Sequence, residues 1–248
     1  MSKKENRKGE KIMQNNGQFA TIIDYRNNMD IDIMFEDGTY LYNRQYSTFK
    51  HGKIKNPYSK RIYGVGCIGN VNMKDTSGKR LSSYNVWVNM LSRCYNKNAK
   101  DYKNYGENGV IVCDEWLCYE NFKKWYNDNI YEILGEKIEL DKDILIKDNK
   151  IYSPETCIFI PQHINQLFSG HSKKNSLPKG VRFDKKNNKY VSQIRINGKL
   201  KYLGVYTSVE EAERVYLINR DLFIKELLED YKYKIPLDLY EKLKTVLC

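Results

Sequence analysis

The chain has 248 residues, room for one large domain or two to three small ones, and 42 Lys and Arg against 31 Asp and Glu give it a formal net charge of +11. Such an excess points to a polyanionic partner, nucleic acid first, while 41% hydrophobic residues suit several small cores better than one large one. No apolar run approaches the roughly eighteen residues of a membrane helix and MSKKENRKGEK reads as a polar tail, so no membrane partner is expected, and a cytoplasmic location with six reduced cysteines is. The charge is uneven. Residues 1–62 carry +5 and residues 171–248 carry +7, while residues 63–170 carry −1 and hold the carboxylates that metal chemistry requires.

In chain order, an α+β protein of three parts is expected. Residues 8–62 contain FATIIDY and DIDIMFEDGTYLYN, short runs rich in Ile, Phe, Tyr and Thr with Asp37-Gly38 as a tight turn. Ile31, Ile33 and Phe35 alternate with Asp32 and Met34, so one strand face is apolar. A small β-barrel-like module or curled sheet follows, serving as a spacer or as an accessory contact to nucleic acid or protein. It is similar, at the level of fold, to the small barrels of the Tudor type.

Residues 63–170 begin with a helix in which Tyr84, Trp87, Val88, Leu91 and Tyr95 share a face and Ser82 or Ser83 caps the start. A turn and short strand (NYGENGVIVCDEW) lead to a second helix with Phe122, Trp125 and Tyr126 inward. ELDKDILIKDNKIYSPETCIFIPQHIN, residues 139–165, then reads as a β-hairpin followed by a helix. GHSKKNS, residues 170–176, reads as a linker. Residues 177–248 give three strands, with KKNNK and Asn197-Gly198 as turns, then a helix capped by Ser208 with Glu211 three positions on. Ala212, Val215, Tyr216 and Asn219 face the sheet, and a last short helix has Pro236 in its first turn. Val181, Val191, Ile194 and Ile196 are expected to point inward, with Arg182 and Arg195 outward.

Within 171–203 ten Lys and Arg stand against one acid, Asp184. Gly180-Val181-Arg182, Tyr190, Ile194-Arg195, Leu203-Gly204 and Glu210-Glu211-Ala212 lie in an order and spacing that resemble the ethylene-response-factor (APETALA-type) DNA-binding domain over about fifty residues. The resemblance implies a three-stranded antiparallel sheet packed on one helix, with the sheet's outer face in the major groove of double-stranded DNA. Arg182, Tyr190, Arg195 and Lys201 match its contact positions. Lys185, Lys186 and Lys199 are added as cations for phosphates, since arginine forks onto guanine edges and lysine meets the backbone.

The middle segment resembles the HNH endonucleases of phages and mobile introns, often fused to this same DNA-binding domain. The resemblance implies a ββα metal site with an Asp-His pair, an asparagine on the second strand and a last His or Asn on the helix. Asp141 matches the aspartate and Asn165 the last position, while Lys142 stands where the family has its general-base histidine and Thr156 where it has the middle asparagine. A lysine beside Asp141 and Asp143 is a poor base. Asp141, Asp143 and Asn165 are the candidate ligands for magnesium or manganese; the alternative is a charged hairpin whose acids pair with lysines. Cys94, Cys113, Cys118 and Cys157 suit core packing better than structural zinc. His163 lies two residues before Asn165 and reads as a surface histidine, and His51 and His171 carry no signal.

Two functions fit. One is an HNH homing-type endonuclease or nickase, supported by the retained acids and Asn165. The other, favoured by the absent histidine, is an inactive HNH-like DNA-binding protein from a phage or mobile element that regulates transcription or blocks a host defence nuclease.

Overall fold

The structure, a computed structural model, describes residues 6–168, 177–196 and 198–247. The linker expected at 170–176 lies outside them, as do His171 and Asn197. The chain is a mixed α+β protein with several small sheets. It divides into two compact units, Met1–Gly106 with Asp114–Lys124, and Glu107–Cys113 with Trp125–Cys248. Residues 63–170 thus contribute to both.

In the first unit, β1 (Lys11–Met13), β2 (Phe19–Asn27), β3 (Asp30–Phe35) and β4 (Tyr40–Arg44) form an antiparallel meander in chain order. Ile31, Ile33 and Phe35 are buried as their alternation predicts, and Gly38 makes the β3–β4 turn with φ 84°. Asp32 is also buried, because Arg26 binds it with two hydrogen bonds of 2.6 and 2.9 Å. The expected barrel does not close. No pairing joins β1 to β4 among the described residues, and Tyr46 and Phe49 of the short helix α1 (Tyr46–Lys50), together with Ile54, complete the core instead.

The same unit holds α2 (Ser82–Tyr95) and the start of α3 (Tyr119–Asn129). Tyr84, Trp87 and Leu91 are buried on the predicted face of α2, joined by Met90 and Cys94. Trp87 donates to the carbonyl of Trp116 at 2.7 Å, and its ring centre lies 5.4 Å from that of Tyr119. Neither serine caps α2. Leu81 occupies that position, and the Ser83 hydroxyl pairs with the Tyr119 hydroxyl at 2.8 Å, where burial requires a polar partner.

The second unit contains β5 (Ile111–Val112), β6 (Ile138–Asp141), β7 (Ile151–Tyr152), β8 (Ile158–Pro161) and α4 (Gln162–Phe168). The strand pair β6–β8 is antiparallel with Asp141 opposite Ile158, and α4 packs on both strands, giving the expected hairpin-and-helix outline. The loop between the strands is long and includes β7, which pairs in parallel with β5.

Next come β9 (Val181–Asp184), β10 (Lys189–Ile196) and β11 (Lys199–Tyr206), an antiparallel sheet with β10 in the middle, then α5 (Val209–Tyr231) and α6 (Leu237–Leu247). The Ser208 side chain accepts from the Glu211 backbone N–H at 3.1 Å, the predicted cap. The first half of α5 lies on the sheet, with Ala212 and Tyr216 buried. Gly180 has φ 78°, and a Cβ there would sit 2.0 Å from the Tyr216 ring, so no larger residue fits. The second half carries Leu228 and Tyr231 into a core shared with Ile158, Ile160 and Ile164 of the hairpin and helix and with Leu239, Tyr240 and Leu243 of α6.

Ile160 is fully buried in that shared core. Ile160→Ala is expected to destabilise the protein by about 2–5 kcal/mol in denaturant unfolding, the usual cost of a cavity at such a site.

Candidate nucleic-acid interface

Side chains alternate between the faces of a strand, and directly paired residues share a face. On β10, Tyr190, Ser192, Ile194 and Ile196 therefore form one face, and Lys189, Val191, Gln193 and Arg195 the other. Ser192 and Ile194 are buried, as is Val181, the β9 partner of Ser192, so theirs is the face against α5. The opposite, open face carries Arg182 and Val205 as the partners of Val191, Tyr202 as that of Gln193, and Leu200 as that of Arg195. Register shifts by one at Leu203, a bulge on β11 between Tyr202 and Gly204.

This arrangement sorts the candidate contacts. Arg182 and Arg195 stand on the open face, exposed, and Arg195 Nη1 donates to the Gly198 carbonyl at 3.0 Å. Lys185 and Lys186 occupy the exposed turn between β9 and β10. Tyr190 does not join them. It pairs with Phe183 and Tyr206 on the helix-side face, its ring centre 5.1 Å from that of Phe183. Lys199 and Lys201 pair with Ile196 and Ile194, on the same face as Tyr190, and are exposed at the tip of the hairpin. Val191, expected inward, shares the face of Arg195, and it is only 1% exposed because it sits at the centre of the sheet between Arg182 and Val205.

The open face also holds residues not picked out from the sequence. Gln193 lies between the two arginine positions, and Leu200, Tyr202 and Val205 are 56%, 62% and 42% exposed. Asp184, the one acid of this stretch, accepts from the Lys186 N–H and from Asn187, and those bonds hold its carboxyl below its ordinary range.

Asp141 ends β6, and its Oδ1 accepts from the backbone N–H groups of Asp143 and Ile144, both at 2.8 Å. Burial raises its pKa, a shift those two bonds only partly offset. Asp143 lies past the strand in a bend, so the shared strand face expected for the two acids does not form. Lys142 is 5% exposed, and its Nζ donates to the Asp143 carboxylate and to the Asn149 carbonyl, the latter at 2.6 Å. Asn149 in turn donates to the carbonyls of Lys142 and Ile151 at 2.8 and 2.6 Å and so clamps the loop. Thr156 donates to the Ile151 carbonyl at 2.7 Å. Asn165 is half-buried on α4.

Among the described residues no group of three or more His, Cys, Asp and Glu is placed to hold a metal ion. The donor set expected from the sequence does not fit magnesium or manganese well. One carboxylate is engaged by a lysine, and one oxygen of the other accepts from two backbone N–H groups, while burial raises its pKa. Asn149 was missed in the sequence because a lone asparagine in a polar loop carries no pattern.

Elsewhere, His163 lies between Glu136, 3.5 Å from Nδ1, and the Tyr231 hydroxyl, 3.2 Å from Nε2. Burial and the bond to Glu136 push the Tyr231 phenol well up. Cys118 pairs by backbone with Cys67 rather than with Cys113, and burial together with Cys118 pushes the Cys67 thiol up to about 12. Cys94 and Cys157 are buried.

Asp141 gives a pH test. Its folded-state pKa is raised, so the folded chain holds a proton that the unfolded chain has released. Stability therefore rises as pH falls from the raised value toward the ordinary aspartate value of about 3.9. Asp141→Asn keeps an acceptor for both N–H groups, and it is expected to remove that slope and be at least as stable as the wild type at pH 7, as read by thermal unfolding across pH. No protein-family model, no curated protein and no solved structure matches the chain. Among the described residues, no helix is long and apolar enough to cross a membrane.

Proposed function

We propose that this chain is a sequence-preferring double-stranded DNA-binding protein, acting through the open face of the β9–β10–β11 sheet, with an HNH-like hairpin and helix that support the fold rather than cleave. One observation carries the reading. The open face joins Arg182, Gln193 and Arg195 with the exposed apolar surfaces of Leu200, Tyr202 and Val205. Arginine and glutamine are the side chains that pair bidentately with guanine and adenine edges, and apolar groups beside them suit thymine methyls. Lys185 and Lys186 at the turn, and Lys199 and Lys201 at the hairpin tip, are positioned for phosphates on either side. A solvated basic sheet face would gain nothing from exposing a tyrosine and a leucine between its arginines.

The non-cleaving reading rests on Lys142. The Lys142 side chain is buried beneath a largely exposed loop, and its Nζ is committed to Asn149 and Asp143 rather than open to activate water. The roles that follow for a bound, uncut site are regulation of transcription or occlusion of another nucleic-acid enzyme.

Binding by the full chain is expected to fall steeply with salt, because each neutralised phosphate releases counterions. Arg195→Ala or Arg182→Ala should each cost about 1–3 kcal/mol on preferred DNA and flatten the sequence preference, whereas Lys185→Ala weakens all sequences alike. Tyr190→Phe, on the covered face, should leave affinity unchanged. Fluorescence anisotropy on a selected site and on random duplex measures all four, and salt-independent or absent binding would overturn the reading.

Neither the wild type nor Lys142→His is expected to cut DNA with magnesium or manganese, since an imidazole at position 142 still leaves Asp141 bound to the backbone N–H groups of Asp143 and Ile144. Cleavage by either in a plasmid-nicking assay would restore the endonuclease assignment.

A further inference from the structure

The N-terminal unit has a cation-lined pocket that the DNA-binding reading does not use. It is an open cavity of about 330 Å³ at the end of β4, lined by Arg44, Lys53, Lys55 and Thr48 and walled on its apolar side by Leu41 and Ile54. That volume lies at the lower end of the range of small-molecule sites, about 300–1,000 Å³. No carboxylate lines it. Asp37 is bound to Asn56 and Gln18, Glu120 to the Tyr58 hydroxyl and the Asn70 N–H, and Asp30 and Asp32 to Arg26.

The cations are held in place by the backbone. Residues 51–56 alternate between exposed and buried, so Lys53 and Lys55 emerge on one side while Ile54 enters the core. The segment is pinned by the buried Gln14, whose Oε1 accepts from the Ile54 N–H at 3.0 Å, and by the bond from the Lys53 N–H to the Thr48 carbonyl, also at 3.0 Å. Among the described residues, Lys53 and Lys55 form no ion pair, and the Nε–H of Arg44 is buried without an acceptor.

We propose that this pocket binds a small phosphate monoester of the nucleotide type, with the phosphate held by Arg44, Lys53 and Lys55 and the nucleoside against Leu41 and Ile54. Guanidinium and ammonium groups without a competing carboxylate favour a phosphoryl oxyanion, and the apolar wall favours an attached ring over inorganic phosphate. The monoester is either a free nucleotide or the 5′ end of a nucleic-acid strand.

Isothermal titration calorimetry on the full chain, with dAMP as the probe, tests this. The expected result is saturable one-to-one binding, with deoxyadenosine at least tenfold weaker. Arg44→Gln and the exposed pair Lys53→Gln/Lys55→Gln should each weaken dAMP at least tenfold with an unchanged unfolding curve, and Arg182→Ala/Arg195→Ala should leave it unaltered. A short oligonucleotide with a 5′-phosphate, compared with its 5′-hydroxyl form, separates the sources. Tighter binding of the phosphorylated strand than of dAMP assigns the site to a strand end, and the reverse assigns it to a free nucleotide. No dAMP binding at millimolar concentration, equal binding of dAMP and deoxyadenosine, or an affinity that follows Arg182 and Arg195 instead of Lys53 and Lys55 would overturn the proposal.

Discussion

The second unit depends on one helix that serves two cores. With its first half α5 covers the three-stranded sheet through Ala212 and Tyr216, and with its second half it fills the hairpin-and-helix core through Leu228 and Tyr231. Neither partner is large enough to form much of a core alone. The sheet has three strands, and the hairpin has two strands of four residues. Small cores are marginal because so little of their surface leaves water, and sharing a helix is a way to enlarge both. The basic sheet and the hairpin with its helix are therefore parts of one folding unit, although the sequence reads as two segments joined by a linker.

Most elements were legible in the sequence because their periods are strong. The α2 stripe of Tyr84, Trp87 and Leu91, the alternation of Ile31, Ile33 and Phe35, and the Ser208 cap all appear where periodicity and capping chemistry put them. What the sequence concealed was which face each sheet residue occupies. Matching positions to a family gave Tyr190 and Arg195 one role, yet five positions separate them on one strand, and odd separations fall on opposite faces. Val191 was assigned inward by its apolarity, but parity joins it to Arg195. On β11 the bulge at Leu203 reverses the alternation part-way, so Tyr202 and Val205, three apart, share the open face. No residue pattern announces that bulge except Gly204, whose backbone, at φ 138°, few other residues would tolerate.

At the hairpin, the pair of acids at positions 141 and 143 could be read either as a metal site or as partners for lysines. The second alternative describes Asp143 with Lys142. The deciding factor was the end of β6 at Asp141. Once the chain turns there, one oxygen of the carboxylate accepts from the two following backbone N–H groups in an Asx-type turn. The contribution of Asn149 arises from a long loop that folds back on itself, a tertiary event with no local signature.

The double duty of α5 restricts how the chain can vary in length. An α-helix turns about 100° per residue and rises about 1.5 Å, so a residue gained or lost between Tyr216 and Leu228 would swing one buried face away from its core while leaving the other in place. Only changes near whole numbers of turns, about seven or eleven residues, keep both faces in phase, and an insertion of that size would lengthen the helix between the sheet and the hairpin by about 10–16 Å. The spacing between the three-stranded sheet and the hairpin is thus quantised by helical phase.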